Sequence, residues 1–419
     1  MKFGAVGDIA LAVGVADAMQ EQGLDWPFAR IQSQLDRADL LFGNLECVVK
    51  PEEFPRQEID SKALITPFSG AAVASVLGRA GFDFINLAQN HALDAGWVGM
   101  QHTRRSLETV GLTTAGVGAS QQEARALKTV ERQGIRFGFL CYGEDSNYTL
   151  GTRGPAYAYY TREAVLEDIE RYRGDVDVLV VSVHADIEFM PTPSVPRLRN
   201  FREFARAGAD IILGHHPHVP QGCEMVDGCL IAYSLGNFVF PAHSSGYMSK
   251  HLPNTARSFL LLVEVGREGV RSFERVPVEI GRPPEERPIP ASGATEKRLA
   301  RYLAQLDAYL QDEQFVRSTW RQVAEHRFAA YLKRAVKPKL NGRSRLRRAL
   351  AWPLQRLGVV GFEVDMDRVI GELVPRLCLT AENRNWMEEI LAMGRERWES
   401  WNGQALDPFH RPDHTFRTK

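Results

Sequence analysis

From residue 1 to about residue 215, short apolar runs rich in Val, Ile, Leu and Phe alternate with longer helix-compatible segments, and each run ends in a polar cluster. This alternation restricts the chain more than any other feature, because strands separated by helix-length stretches pack as a layered α/β domain. The strand-like runs are Phe3–Val6, Leu40–Phe42, Phe82–Leu87, Arg136–Leu140, Val176–Val183 and Asp210–Leu213. Helical patterns lie at Pro27–Arg37, Pro67–Ala80, Val98–Val110, Arg162–Tyr172 and Val195–Ala207. Two of these begin at a proline, as first helical turns often do. Further on, Cys229–Leu235 and Ser258–Val265 alternate like hairpin strands, and Gly266–Gly269 supplies a turn toward Val270–Phe273.

The sheet is expected to finish near Ile280. The stretch Gly281–Gly293, dense in Pro and Gly, reads as a linker, because those residues continue neither helix nor strand. The expected division is therefore 1–285 for the α/β domain and 286–419 for a mostly α-helical C-terminal region, with Leu299, Tyr302, Leu303, Leu306 and Leu310 at helical spacing.

Reading the ends of the apolar runs in order gives Asp8, Glu46, Asn90 with His91, His184, and then His216 and His218. Ligands in an open α/β sheet gather beyond the carboxyl ends of the strands, so these positions are expected at one rim. His216 and His218 stand two apart. On extended chain, the period of two would aim both rings at one locus. A set mixing carboxylates with imidazoles suits one or two divalent transition ions, Mn, Fe or Zn, over Mg or Ca, which prefer oxygen alone.

Longer motifs surround these residues: Gly7-Asp8-Ile9, Asn44-Leu45-Glu46, Asn90-His91 followed by Asp94 and Gly96, His184 followed by Glu188-Phe189, Gly214-His215-His216-Pro217-His218-Val219, and Tyr233-Ser234-Leu235-Gly236-Asn237-Phe238. In this order they resemble the calcineurin-like metallophosphoesterase superfamily and, within it, the CapA-type capsule-synthesis family of poly-γ-glutamate production. The resemblance runs from the first strand to about residue 240.

The resemblance implies a layered sheet sandwich flanked by helices. It also implies a site in which Asp8 and His218 hold one metal, Asn90, His184 and His216 hold a second, and Glu46 stands at the bridging position. His91 matches the residue that protonates or positions the leaving oxygen, and Asp94 and Glu188 fall in the motifs beside it. The implied activity is hydrolysis of a phosphate ester or similar electrophile, on a phosphate-containing substrate or one related to an anionic polymer. Two departures stand out: position 10 is Ala where the superfamily's first motif has His, and His184 is followed by Ala185-Asp186 where the family usually has Trp-Gly. The Ala10 departure leaves room for another reading, a non-catalytic metal-holding component of a polymer-synthesis complex.

Composition excludes other classes. A formal charge of −1 over 419 residues gives no global electrostatic case for nucleic-acid binding. Gly4-Ala5-Val6-Gly7 lacks the glycine spacing of a dinucleotide fold, and no serine elbow is present. Five scattered cysteines without a C-x-x-C pair read as reduced, mostly buried thiols. The immediate strand-like start and the lack of a bilayer-length apolar run point to a cytoplasmic protein. Between Arg321 and Arg356 the chain is strongly basic around Trp352, a pattern expected to meet an anionic membrane surface or to form a solvated helix face.

Overall fold

The structure is a computed structural model that describes residues 1–51, 63–144 and 157–323, together with two short strands beyond them. The chain divides into two compact units, Met1–Arg317 and Ser318–Lys419. In chain order, the first unit begins with β1 (Lys2–Ile9), α1 (Val13–Gln22), α2 (Gln32–Leu35), β2 (Leu40–Leu45), β3 (Val48–Val49), β4 (Ile65–Thr66), α3 (Gly70–Arg79) and β5 (Phe84–Asn86). There follow α4 (Gly96–Glu108), β6 (Thr113–Ala115), α5 (Gln121–Ala124), β7 (Lys128–Arg132), β8 (Ile135–Gly143), α6 (Arg162–Tyr172), β9 (Val178–His184), α7 (Val195–Ala207) and β10 (Ile211–His215). It closes with β11 (Cys223–Val226), β12 (Cys229–Ala232), β13 (Asn237–Val239), β14 (Arg257–Gly266), β15 (Gly269–Ile280), β16 (Pro288–Pro290) and α8 (Gly293–Leu310).

Two sheets form the core. One runs β16-β15-β14-β1-β2-β5-β6, with β13 also paired to β1; the other runs β11-β12-β10-β9-β8-β7. The sheets meet through phenylalanines at alternating strand positions. Phe84 on β5 stacks on Phe139 of β8 with ring centroids 3.9 Å apart, and Phe3 on β1 lies 5.9 Å from Phe137. Strands buried on both faces read as continuous apolar runs, as β9 does with all seven residues buried. This is the layered sandwich flanked by helices that the resemblance implied. The single open sheet used to place the rim residues is replaced by two sheets whose parallel strands end on the same side of the molecule.

Helix ends follow local chemistry. Ser69, Thr161 and Ser194 each accept a backbone N–H of the first turn, and Pro196 sits where the missing donor costs nothing. Helix α1 carries no such side-chain cap, so its start leaves no mark in the sequence. The expected helix Pro27–Arg37 contracts to Gln32–Leu35.

The expected linker contains β16, which pairs antiparallel with β15 at Val278–Pro290 through Ile280–Pro288. Prolines fit there because β16 is an edge strand, and an edge tolerates a missing N–H. Helix α8 belongs to the first unit: Leu299, Leu303, Leu306 and Leu310 are buried, and Asp307 accepts the Cys223 backbone N–H at 2.7 Å. In the second unit, Val336–Pro338 and Phe362–Val364 pair antiparallel. Apart from residues 321–323 and the 336–338 strand, the basic stretch to Arg356 lies outside the described residues, so the membrane expectation does too. Among the described residues, no helix is long and apolar enough to cross a membrane. The four described cysteines are buried and free, and burial pushes the Cys47 and Cys223 thiols up to about 12.

Candidate metal centre

Five parallel strand tips converge on one point. β1 delivers Asp8, β2 delivers Asn44 and then Glu46, β5 leads to Asn90 and His91, β9 ends at His184, and β10 leads to His216 and His218. Two glycines let the backbones approach. A side chain at Gly7 would begin 1.8 Å from the Gly236 carbonyl oxygen, and one at Gly214 would begin 1.8 Å from that of Tyr233. The Asp8 N–H donates to that same Gly236 carbonyl at 2.9 Å. The Gly-Asp, Gly-His-His and Ser-Leu-Gly-Asn motifs are therefore parts of one close contact.

Beyond β10 the chain is not extended. His216 has φ +92° and His218 φ +57°, so both occupy the left-handed region on either side of Pro217. Period-two alternation does not bring these rings together; a turn does, with ring centroids 5.8 Å apart. Each such non-glycine residue costs about 1–3 kcal/mol, strain that the surrounding contacts must offset.

All six candidate metal residues are buried. Donor atoms of Asp8, Glu46 and His184 lie within 4.8 Å of one another, as do those of Glu46, His216 and His218. Glu46 belongs to both groups: its Oε1 is 3.7 Å from His184 Nε2 and 3.6 Å from His218 Nε2. Asn90 Oδ1 lies 2.7 Å from His184 Nε2, the His184 and His216 rings are 4.9 Å apart, and Asp8 Oδ2 is 3.6 Å from His218 Nδ1. Donors bound at about 2.1 Å around one ion stand roughly 3–3.5 Å apart, so Glu46 Oε1 with His184 Nε2 and His218 Nε2 comes near that spacing, while Asn90 Oδ1 and His184 Nε2 stand at hydrogen-bond distance.

Electrostatics point the same way. Burial, and then the Asp8 carboxylate, push the Glu46 carboxyl well above the usual range. Burial, followed by the neighbouring imidazoles with His216 foremost, holds His184 well below its usual value. The approaches of His184 to Asp8 and Glu46 are therefore contacts of a neutral ring and not ion pairs. Neither Glu46 oxygen has a hydrogen-bond partner. A buried carboxylate in that state is costly, and a cation is the partner that fits it.

The flanking residues fall into place around this cluster. His91 Nδ1 lies 2.7 Å from Asp94 Oδ2, which also accepts the Leu64 N–H at 2.6 Å; His91 Nε2 then faces Glu46 Oε1 at 4.0 Å. Glu188 Oε1 is 3.8 Å from His218 Nε2, and the Tyr247 hydroxyl donates to the other Glu188 oxygen. Asp186, which stands where the family usually has Gly, has φ +96° and accepts the Ser194 backbone N–H at 2.9 Å; one of its oxygens thus serves the entry to α7.

Three asparagines without a role in the motifs join the cluster: Asn44 and Asn237 contact candidate ligands, and Asn86 supports Asn44. Asn44 donates to Asp8 Oδ1 at 2.8 Å and faces His184 Nδ1 at 3.1 Å, while its own Oδ1 accepts from Asn86 at 2.7 Å. Asn237 Oδ1 lies 2.9 Å from His218 Nδ1, and its amide donates to the Thr255 carbonyl at 3.0 Å. That leaves His218 Nε2 as the ring atom facing Glu46, the arrangement by which neighbours fix a ligand tautomer. Asn86, set within the apolar run of β5, was the available signal: a polar side chain inside a buried strand needs a partner.

With the geometry in place, comparison with known proteins adds the family. The profile of "Bacterial capsule synthesis protein PGA_cap" matches residues 2–242. Capsule biosynthesis protein CapA of Bacillus anthracis is 28% identical over 300 residues, spanning 70% of this chain and 70% of that protein. PGA biosynthesis protein CapA of Bacillus subtilis (strain 168) is 28% identical over 278 residues, spanning 66% of this chain and 70% of that protein. Among solved structures, the 5'-nucleotidase precursor from Thermus thermophilus aligns at TM-score 0.42 and 12% identity, covering 74% of this chain and 59% of that one. Since the profile spans more than half of the sequence and takes in every strand tip described above, the chain belongs to the bacterial capsule synthesis protein family PGA_cap.

Proposed function

We propose that this chain is a metal-dependent hydrolase of a phosphate ester or similar electrophile, working in the synthesis of a capsule or poly-γ-glutamate-like polymer. The observation that carries the reading is Glu46, buried with both oxygens unpartnered between two sets of imidazole and carboxylate donors. Asp8, Glu46, Asn90, His184, His216 and His218 would hold one or two Mn, Fe or Zn ions. Bound there, the metal would supply Lewis acidity toward a phosphoryl oxygen and make water more acidic.

The chain's own side chains do the rest. Asp94 fixes the His91 ring so that Nε2 faces the cluster, and from there Nε2 delivers a proton to the leaving oxygen. Glu188, tethered by Tyr247 at the rim, orients the incoming group. Asn44 and Asn237 keep the ligand rings and Asp8 in the orientation that exposes their donor atoms.

Ala10, fully buried where the superfamily carries an imidazole, favours a second reading, a non-catalytic assembly component that retains metal. One experiment separates the two: metal analysis of protein purified without chelator, followed by phosphomonoester and phosphodiester assays with added Mn²⁺. Bound metal with turnover that disappears in His91→Asn supports the hydrolase. Bound metal without turnover on either ester class supports the assembly role, and absence of metal sinks both.

A further inference from the structure

His215 is a buried titratable group that the reading above leaves unused. It ends β10, pairs in register with His184 on β9, and is fully buried. Its ring stacks on Phe42, with centroids 6.0 Å apart and planes at 29°. Neither ring nitrogen has a hydrogen-bond partner, yet Nδ1 stands only 3.3 Å from Asp8 Oδ1. A leucine or phenylalanine would fill this place in the core without leaving two polar atoms unsatisfied, so the imidazole costs stability where it stands.

Asp8 Oδ1 accepts one hydrogen bond, from Asn44 at 2.8 Å, and a carboxylate oxygen has room for a second. Asp8 Oδ2 faces the other way, toward the His216 backbone N–H at 3.3 Å and the His218 ring at 3.6 Å. We infer that His215 is a positioning residue for Asp8: as the neutral Nδ1–H tautomer it donates to Oδ1, so that Asp8 presents Oδ2 to a divalent cation. Phe42 holds the ring plane, and Asn44 supplies the companion donor. Groups of this kind around a metal ligand commonly account for 10- to 100-fold in affinity.

The inference rests on the metal reading, and the test is chosen to tell the two apart. Mn²⁺ affinity of the full chain is measured by chelator competition, alongside the melting temperature of the metal-free protein. For His215→Leu the expected result is a dissociation constant raised roughly 10- to 100-fold with a melting temperature equal to or above the parent's. His215→Gln, which keeps an N–H donor, should recover part of the lost affinity. Binding by His215→Leu within threefold of the parent overturns the inference and leaves the metal reading intact, as does a lowered melting temperature with unchanged affinity. A parent that takes up no Mn²⁺ overturns both. Should His215→Leu not fold, the parent answers directly through histidine ¹⁵N–¹H correlations with and without Zn²⁺. An Nδ1–H resonance that moves on loading supports the inference, and an Nε2–H tautomer in both states overturns it.

Discussion

Asp168 and Glu46 are both fully buried carboxylates in the same unit, and they are treated in opposite ways. Asp168, on α6, accepts from Arg125 Nε at 2.7 Å and from the Tyr142 hydroxyl at 2.8 Å on one oxygen, and from a second Arg125 nitrogen at 2.9 Å on the other. Its charge is neutralised by a forked guanidinium and its acceptors are used, so the network closes on itself. Glu46 has no hydrogen bond on either oxygen and sits among Asp8, Asp94 and Glu188, each of which pushes its carboxyl upward. A carboxylate that serves the fold is satisfied from within the chain. Glu46, whose oxygens find no hydrogen bond among the described residues and stand amid carboxylates and imidazoles, is not satisfied in that way.

The contrast can be broken most forcefully at Asp168. Replacing it with Ala leaves the buried Tyr142 hydroxyl unpaired and Arg125 with Glu167 as its remaining carboxylate, and should lower unfolding free energy by about 1.5–3 kcal/mol, the scale of lost charge-assisted hydrogen bonds. Denaturant unfolding would show it, while Mn²⁺ uptake in the folded fraction should match the parent. Equal stability would mean that the two carboxylates differ less than their contacts imply.

His184→Ala is the counterpart on the open side. It removes a donor aimed at the cluster, and metal affinity should fall by at least about 100-fold, more than the loss typical of supporting groups. Circular dichroism should remain that of the parent. Retention of parental metal content would remove His184 from the site.

His91→Asn probes the edge between the two kinds of residue. Turnover on an ester with a poor leaving group should drop by roughly 10²-fold, the common scale for a positioned proton donor. Metal affinity should stay within about threefold, because the backbone bonds from Ala92 to Gln89 and from Asp94 to His91 keep that turn in place without the imidazole.

The smallest effect sharpens the comparison. Glu46→Gln keeps the shape but removes the ionisable group that burial and the Asp8 carboxylate disfavour, so the metal-free protein should gain up to about 1 kcal/mol, the amide itself remaining unsatisfied in the same place. The same change at Asp168 should do the reverse. A Glu46→Gln protein that melts below the parent without metal would show that Glu46 already has an internal partner and that the site reading is wrong.

Much of the site was legible because its residues obey a local rule. Asp8, Glu46, Asn90, His184 and His216 each follow an apolar run, and a strand that is buried along its length is mostly apolar until it leaves the sheet. His91 and Asp94 stand three apart in sequence, so their 2.7 Å contact is short-range too. The supporting residues were not legible. Asn44 reaches His184 across 140 positions and Asp8 across 36, and no periodicity announces such a partner.

Sequence by itself determined the alternation of the main strands and helices, the polar residues at the strand tips and the family, because apolar periodicity and motif spacing are properties of contiguous residues. Tertiary structure alone decided three things. It split the strands into two facing sheets, since phenylalanines distant in sequence had to find one another. It made the proline-rich linker into an edge strand, because only an edge accepts a missing N–H. It also replaced the extended geometry at His216 and His218 by a left-handed turn, a strained conformation that local preference disfavours and that contacts distant in sequence hold: Asp8 to the His216 N–H, Phe189 to the Pro217 carbonyl and Asn237 to the His218 ring.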